Sequence, residues 1–305
     1  MGTLFTAYGL MCALAMLCAL LAAGMWCRHD RIGYGVWIRL CTLGIPLAWV
    51  CSRVVFCLAN VFYFFDEIGI PSLMLRFWEG GASMFGALAG LILAAWLVET
   101  WQRLPHGKLL DALAFGAPVG AIIARLAEAG TEGMGWGDMI MTEWLLPIGV
   151  TDAHWHPVYL YEAVAVGAIL IALLAWVAFG KEKSRHPGDI LLVFLTLYGC
   201  VQVVLESMRD DGHMVIRFVH VNQIVAIVLP AIALLVWTLR LMKKGAKKSQ
   251  VILPWLILFI CIGIGIAQEF AVDASENLFV DYGIMAAAMA VVAFVTLRAR
   301  QRANQ

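Results

Sequence analysis

The sequence predicts an all-α integral membrane protein, a polytopic helical bundle with its N-terminus outside the cytoplasm and its C-terminus inside. The first observation is composition, since 63% of the 305 residues are apolar and only 14% are charged. This balance lies outside the range of ordinary soluble domains. The second observation is that the charges are distributed very unevenly along the chain. The formal net charge is zero, so nothing in the balance indicates a nucleic-acid partner.

The number of spans follows from the length of the apolar stretches. A transmembrane helix needs about 20 mainly apolar residues, because each residue adds about 1.5 Å and the hydrocarbon core is about 30 Å thick. Nine stretches qualify, at approximately 5–26, 37–63, 82–100, 109–129, 158–180, 189–207, 221–241, 251–269 and 278–297. The first has no basic segment before it, so we interpret it as a retained span rather than a signal peptide.

The orientation follows from the loops, because cytoplasmic loops carry an excess of lysine and arginine. One alternate set contains most of the basic residues, namely Arg28, Arg31, Arg103, Lys108, Lys181, Lys183, Arg185, Arg240, Lys243, Lys244, Lys247, Lys248, Arg298, Arg300 and Arg302. The other set is acidic and contains only Arg76, Arg209 and Arg217 as basic residues. The first set is therefore predicted to be cytoplasmic, and the second to lie outside.

Two domains are predicted. Residues 1–242 form a seven-helix membrane domain, whose outside segment 130–157 is rich in glycine and tryptophan. Because tryptophan favours the headgroup level, this segment is predicted to be an extracytoplasmic cap. Residues 243–305 form a basic loop and a two-helix C-terminal extension. The simplest interpretation of that basic loop is a cytoplasmic anchor.

The eight cysteines lie within the hydrophobic stretches or at their inner ends. They show neither the pairing pattern of a disulfide framework nor the C-x-x-C spacing of a zinc site. We interpret them as small buried residues and predict no metal site.

Polar residues within the spans are the first candidates for function, because a charge in the bilayer costs at least a few kcal/mol. Arg125 and Glu128 share one face of span 4, three positions apart. Span 6 has a polar face of Tyr198, Gln202 and Glu206 at four-residue steps. The remaining members are Arg53 in span 2 and Glu162 near the outer end of span 5.

These faces could converge on one cavity near the outer leaflet. Arginine suits a phosphate, because its planar fork is permanently charged and binds two oxygens together. Arg53 and Arg125 therefore favour an anionic lipid headgroup as the ligand. The alternative is that Arg125 and Glu128 neutralise one another and only hold helices together.

Two further motifs lie at the outer ends of spans. The segment from His154 to Glu162 enters span 5, and His156 within it can act as an acid, a base or a donor near neutral pH. The segment from Trp78 to Gly90 enters span 3 and is rich in glycine. Such small residues allow neighbouring helices to approach closely, which is the expected role of most of them.

Taken together, these motifs resemble the prolipoprotein diacylglyceryl transferases of bacterial inner membranes over about residues 5–240. Tyr8-Gly9-Leu10-Met11 looks like the family's Y-G-L-M, and Arg53 looks like the arginine of its second span. The other four matches are Trp78 to Gly90 with W-E-G-G-M-S-F-H-G-G-x-x-G, Arg125 to Glu128 with R-I-G-N, His156 to Glu162 with H-P-x-Q-L-Y-E, and Tyr198 to Arg209 with Y-G-x-x-R-F-x-x-E-x-x-R.

The resemblance implies a multi-pass protein of the bacterial plasma membrane and a definite reaction. The diacylglyceryl group of phosphatidylglycerol passes to the cysteine of a lipobox in an exported preprotein, releasing glycerol phosphate. It also implies that the partners are phosphatidylglycerol, the preprotein and membrane lipids, and that no cofactor takes part. A thiol proton must be removed and the leaving phosphate must be held by cations.

The chain departs from the family pattern at several positions. The histidine of H-G-G falls on Phe85, the asparagine after R-I-G on Glu128, the arginine of Y-G-x-x-R on Gln202, and the glutamine before L-Y-E on Tyr159. Phenylalanine can neither accept a proton nor donate a hydrogen bond. The family's proposed base and one of its cations are therefore absent from this chain.

From these matches we predict a divergent transferase. The predicted catalytic residues are Glu128, Glu206, His156, Tyr8 and Tyr198, and the predicted substrate-binding residues are Arg125, Arg53, Gln202, Gly80, Gly81 and Ser83. Glu128, Glu206 and His156 remain alternative proton acceptors. A non-catalytic protein that binds a lipid or a partner on the same scaffold is the rival interpretation. A transporter is less favoured, since no inverted repeat is evident.

Overall fold

The computed structural model describes residues 7–67, 69–76, 81–131, 134–140, 148–150, 154–180, 185–210, 215–216, 219–272 and 278–305. Within these ranges, nine helices are long and apolar enough to cross a membrane. They are α1 (Ala7–His29), α2 (Tyr34–Ala59), α3 (Met84–Gln102), α4 (Lys108–Glu128), α5 (Val158–Phe179), α6 (Asp189–Ser207), α7 (Val221–Lys243), α8 (Lys248–Val272) and α9 (Leu278–Asn304).

The predicted class and number of spans are confirmed, and the chain is a multi-pass membrane protein. The main difference lies at the end of the second span, which the sequence placed near residue 63. The helix ends at Ala59 and is followed by a π-helical turn at Tyr63–Glu67 and a 3-10 turn at Pro71–Leu75. The apolar stretch extends beyond the end of the helix through Phe62, Phe64 and Phe65, so composition alone could not locate the helix end.

The chain divides into two compact units. The first consists of the described parts of Met1–Leu17, Pro118–His186 and Leu192–Gln305. The second consists of the described parts of Cys18–Ala117 and Pro187–Leu191. Each unit is described separately below. The division at residue 242 that the sequence suggested remains a prediction, and α8 and α9 belong to the first unit.

In the second unit, two glycines allow α2 and α3 to pack closely. A Cβ atom on Gly90 would lie 2.4 Å from the Leu47 carbonyl oxygen, and one on Gly86 would lie 2.5 Å from that of Cys51. Both distances are shorter than any side chain tolerates. The packing role expected of these glycines is confirmed, and a buried cluster that includes Leu40, Ala94 and Val98 extends this contact.

Two buried carboxylates of the second unit cap helix N-termini. Glu99 accepts hydrogen bonds from the amides of Gly107 (2.9 Å) and Leu109 (2.6 Å) where α4 begins. Asp111 accepts from Gly188, Ile190 and Leu191 where α6 begins. The first amides of a helix have no partner within it, so these side chains satisfy donors that would otherwise be buried alone.

The first unit contains two small antiparallel ladders beside its helices. Strand β1 (Trp136–Met139) pairs with β2 (Trp155–Pro157), with Trp136 opposite Pro157 and Met139 opposite Trp155. Strand β3 (Val215–Ile216) pairs with β4 (Val219–His220) directly before α7. The first ladder lies in the segment 130–157, so the described part of this segment contains regular structure.

Candidate active site

A cluster of four charged residues, three of them buried and one partly buried, lies at one end of α4, α5 and α6. Arg125 and Glu128 occupy the last turn of α4, Glu162 lies in the second turn of α5, and Arg209 follows the end of α6. We call these residues the charge quartet. Its end of the helices is the one that the charge distribution predicts to be outside.

The quartet forms a closed ring of alternating charges. Arg125 contacts Glu128 through Nη1 at 2.5 Å and Glu162 through Nε at 2.7 Å. Arg209 contacts the same two carboxylates, Glu128 through Nη2 at 3.0 Å and Glu162 through Nη1 at 3.1 Å. Each carboxylate therefore joins two arginines, and the four charges sum to zero.

Burial makes these ion pairs stronger and their disruption more costly. The side chains of Glu162 and Arg209 are 0% and 1% exposed, and that of Arg125 is 13% exposed. Removing one partner of a buried ion pair typically costs about 3–5 kcal/mol, because an uncompensated charge is left behind. The slightly greater exposure of Arg125 makes it the more accessible cation of the two.

Two members of the quartet were not among the predicted site residues. Glu162 was recognised as a polar residue in span 5 but was given no role. Arg209 ends the matched motif from Tyr198 to Arg209 but has no predicted role, and the structure shows that it is almost completely buried. The spacing Glu206-x-x-Arg209 within that motif could have assigned it to the site, because it places the arginine one turn beyond a predicted site carboxylate.

Strand β1 covers the quartet. Gly137 forms a bridge with Arg209, and the Asp210 amide donates to the Trp136 carbonyl at 3.0 Å. Gly135 has a φ of +71°, and a Cβ atom there would lie 2.4 Å from Glu128 Oε2. Only glycine allows the backbone to lie against this carboxylate. The predicted cap is thus built against the site residues.

The polar face of α6 continues from the quartet. The Tyr198 hydroxyl lies 3.5 Å from Glu162 Oε1, and Gln202 Nε2 lies 3.5 Å from Glu206 Oε2. Glu206 Oε1 accepts a shorter hydrogen bond of 2.7 Å from Asn222. Gln202 Oε1 is buried and has no hydrogen-bond partner among the described residues. The structure therefore brings Arg125, Glu128, Tyr198, Gln202 and Glu206 together.

Tyr8, in the first turn of α1, belongs to the same compact unit. It lies within electrostatic range of both Glu128 and Arg125, and its hydroxyl interacts with Cys12. The aromatic residue of the Y-G-L-M motif therefore lies near the quartet, and its role in the site remains a prediction.

His156 lies in strand β2, and α5 begins two residues later with Pro157 at its N-cap. Its Nδ1 is 3.0 Å from the Tyr161 hydroxyl, and the two rings meet edge to face. Burial lowers the pKa of His156 below its ordinary value, although the Asp138 carboxylate acts in the opposite direction. His156 is therefore neutral at pH 7 and faces Tyr161.

Arg53, Gly81 and Ser83 lie in the second unit, where they shape the segment between α2 and α3. The Arg53 guanidinium donates to the carbonyls of Leu73, Met74, Arg76 and Gly81, each at 3.1 Å. Gly81 has a φ of +78°, and Ser83 caps α3 by accepting from the Gly86 amide at 3.3 Å. Gly80 lies outside the described residues. Substrate binding by this group remains a prediction.

The comparisons with known proteins agree with the geometry. The family model of the prolipoprotein diacylglyceryl transferases matches residues 2–239. A curated relative from Zymomonas mobilis, named phosphatidylglycerol–prolipoprotein diacylglyceryl transferase, is 33% identical over 141 residues, which is 46% of this chain and 49% of that protein. A relative with the same name from Clostridioides difficile is 24% identical over 72% of this chain and 86% of its own length. Another from Bacillus velezensis is 23% identical over 79% of this chain and 90% of its own length.

The match spans about half the length of the first of these relatives, whereas the other two align along most of their length. It ends within α7, so α8 and α9 lie outside the family model. The family model covers residues 2–239 of a chain of 305, a range that includes the quartet, the segment 130–157 and the polar face of α6. The chain belongs to the prolipoprotein diacylglyceryl transferase family.

Proposed function

We propose that this protein transfers the diacylglyceryl group of phosphatidylglycerol to the cysteine of a lipobox in an exported preprotein, at the outer face of a bacterial inner membrane. The cysteine sulfur forms a thioether bond with the terminal glycerol carbon of the diacylglyceryl group. The bond between that carbon and the phosphate oxygen breaks, and glycerol phosphate leaves with the electron pair. The thiol proton passes to a base of the protein.

The observation that carries this proposal is the buried charge quartet beneath β1. Arg125 is its more exposed cation and presents a planar set of donors that matches a phosphate. Because Arg125 already contacts two carboxylates, an incoming phosphate would compete with them for its donors. Arg209 contacts the same carboxylates and can keep them paired while this happens.

Glu206 is the proton acceptor that the geometry favours. Protonation of Glu128 would weaken two ion pairs at once, with Arg125 and with Arg209. Among the described contacts, Glu206 accepts hydrogen bonds from the uncharged amides of Gln202 and Asn222. A carboxylate in a poorly solvated site is the better base when its protonation does not break the ion pairs of the quartet. We assign Glu128 to pairing with the two arginines in the absence of substrate, when it occupies donors that the phosphate would use.

Gln202 takes the place of a family arginine. Its buried Oε1 can accept a hydrogen bond but has no partner among the described residues. A hydroxyl of the phosphatidylglycerol headgroup or the thiol of the lipobox cysteine supplies such a donor. A buried acceptor without a partner costs about 1–3 kcal/mol, which substrate binding would recover. Tyr8 and Tyr198 complete the set of polar groups around the reacting atoms.

The second candidate function is a non-catalytic lipid- or partner-binding protein. Two observations favour it: the position of the family histidine is occupied by Phe85, which is half-buried, and that of a family arginine by Gln202. Under this alternative the quartet still binds an anionic headgroup, but no thioether is formed. The two functions therefore differ in product and not in lipid binding.

The decisive experiment uses the purified protein in nanodiscs of phosphatidylglycerol with a lipobox peptide, and measures the diacylglyceryl thioether by mass. We expect product from the cysteine peptide and none from its serine counterpart. Glu206→Gln should lower turnover by about a hundredfold, the usual cost of losing a general base. Saturable lipid binding without product in the unmodified protein would establish the non-catalytic alternative instead.

A further inference from the structure

A cavity of about 320 Å³ lies between α6, α7, α8 and α9, within the first compact unit. Its volume falls in the range of about 300–1,000 Å³ that is usual for ligand pockets. Its walls are formed by apolar side chains that include Ile227, Ile262 and Met289. Helices α8 and α9 lie beyond the family match, so this cavity is built largely by a part of the chain to which the proposed transfer reaction gives no role.

The cavity opens at its side onto the outer surface of the helices, which is apolar there. Ile224 of α7 and Ile266 of α8 line it, and yet they are 46% and 45% exposed. An apolar cavity whose rim faces hydrocarbon admits a hydrocarbon chain at little cost. From Ile262 to Glu269 the wall extends about 10 Å along α8, given the rise of 1.5 Å per residue.

A carboxylate stands at one end of this apolar wall. Glu269, in the last turns of α8, lines the cavity and is 9% exposed. Its Oε2 accepts hydrogen bonds from Ser207 at 2.9 Å and Gln223 at 3.1 Å. Its Oε1 accepts none from the described residues. The side chain is thus held in place and keeps one oxygen for a further donor.

A second buried carboxylate lies at the same end of the α8–α9 pair. Asp281, in the first turn of α9, is 8% exposed, and its Oδ2 has no hydrogen-bond partner among the described residues. It shares a helix face with Met285 and Met289, which line the cavity four and eight positions later. The sequence from Glu269 to Ile284 contains no lysine or arginine.

We propose that this cavity binds a membrane phospholipid with a primary ammonium headgroup. One acyl chain would lie along the apolar wall, and the ammonium group would donate to Glu269 Oε1 and approach Asp281. A buried carboxylate without a cation is costly, and an ammonium offsets that cost. Phosphatidylglycerol fits poorly here, since it offers a phosphate charge without a compensating cation.

The test is native mass spectrometry of the purified protein in mixed micelles with equal amounts of phosphatidylethanolamine and phosphatidylglycerol. We expect phosphatidylethanolamine to be retained in preference, and Glu269→Gln to reduce this preference by about tenfold, the effect of one charge-assisted hydrogen bond. Asp30→Asn, which removes a carboxylate paired with Lys108, is the charge-matched control and should leave the preference unchanged.

Two bulky substitutions test whether the cavity is the site. Met289→Trp fills its interior, and Ile224→Trp blocks its exposed rim with less risk to folding, so both should abolish the retained lipid. Ile260→Trp adds the same bulk on the opposite face of α8, where the side chain is 62% exposed, and should retain it. Equal retention of the two lipids by the unmodified protein, or retention by both cavity variants, would overturn the proposal.

Discussion

At the scale of single residues, the two carboxylates of the quartet occupy both arginines, so the phosphate of the proposed substrate would compete with them for these cations. Glu128 and Glu162 each contact two arginines, so neither carboxylate depends on one cation alone. This redundancy allows Arg125 to change partners without leaving a carboxylate unpaired. Three predictions follow from individual side chains.

The first concerns Arg125. Replacing it by glutamine should weaken phosphatidylglycerol binding by at least about tenfold, because a charge-assisted hydrogen bond typically contributes about 1.5–3 kcal/mol. Arg76→Gln is the control, since Arg76 is an exposed arginine of the second unit. Lipid affinity and thermal stability should be measured together. Equal affinities in the two variants, with Arg125→Gln less stable, would mean that Arg125 only holds helices together.

The second concerns Glu128. Glu128→Gln keeps the shape of the side chain but removes the charge that occupies both arginines, so phosphatidylglycerol should bind more tightly than to the unmodified protein. Arg209 keeps Glu162 as a partner in this variant. The measurement is lipid affinity by titration in detergent. A loss of affinity would show that Glu128 organises the arginines more than it competes with the phosphate.

The third concerns His156, whose pKa is lowered by burial from its ordinary value of 6.5. The unfolded chain then binds more protons than the folded one as pH falls below about 6.5, so the contribution of His156 to stability is lost on acidification. NMR of labelled histidine should give a midpoint below 6.5. Asp138→Asn should lower this midpoint further, since the carboxylate raises it. An unchanged midpoint in that variant would rule out this electrostatic coupling.

At the scale of elements, close helix packing and satisfied helix ends account for the second unit. Gly86 and Gly90 bring α3 against the backbone of α2, and Glu99 and Asp111 cap α4 and α6. Both features depend on atoms held within a few ångströms of one another, so a larger or differently shaped side chain at these positions would disturb them. One substitution tests the packing.

Gly90→Val should destabilise the protein by about 1–3 kcal/mol, the usual cost of overpacking, because its Cβ atom would lie 2.4 Å from the Leu47 carbonyl. Gly283→Val on α9 is the matched control, since no atom lies within 4 Å of a Cβ atom at that position. Thermal unfolding in detergent measures both. A similar loss in the two variants would indicate a general effect of valine in these helices.

The elements also show what the sequence could predict. Span positions follow from length and hydropathy, and the pairing of Arg125 with Glu128 follows from their spacing on one helix. Arg209 belongs to a matched motif but has no predicted role, because it follows the end of α6, where composition indicates a loop. Its burial comes from the pairing of Gly137 in β1 with the chain after α6, a contact between distant segments that no local pattern encodes. The carbonyl partners of Arg53 are likewise set by turns that hydropathy does not reveal.

At the scale of the whole molecule, alternate loops carry opposite charge, and the quartet, the β1–β2 ladder and Glu269 all lie at ends predicted to be outside. This orientation is a property of the proposed enzyme that can be measured directly, since an exported preprotein would present its lipobox cysteine on that side of the membrane. A topology map tests it without any assay of activity.

A reporter active only outside the cytoplasm should give signal when fused after residues 145, 212 and 274, and none after 105, 184 and 246. The reason is the concentration of lysine and arginine in the second set of loops. A cytoplasmic reporter with the reverse specificity serves as the control at the same positions. Outside signal at 246 would contradict the assignment of α8 and α9 as a hairpin with both ends anchored inside.

The ring of ion pairs also constrains how the protein is made. When α4 enters the membrane, Arg125 and Glu128 neutralise one another within a single turn. Insertion of α5 adds Glu162, so a nascent chain that ends there carries one carboxylate more than it has arginines in this group. Balance returns only with Arg209, which lies 81 positions after Glu128. The ring can therefore close only after α4, α5 and α6 have all been synthesised, and we expect a chain that ends between α5 and Arg209 to retain one unpaired carboxylate of this group.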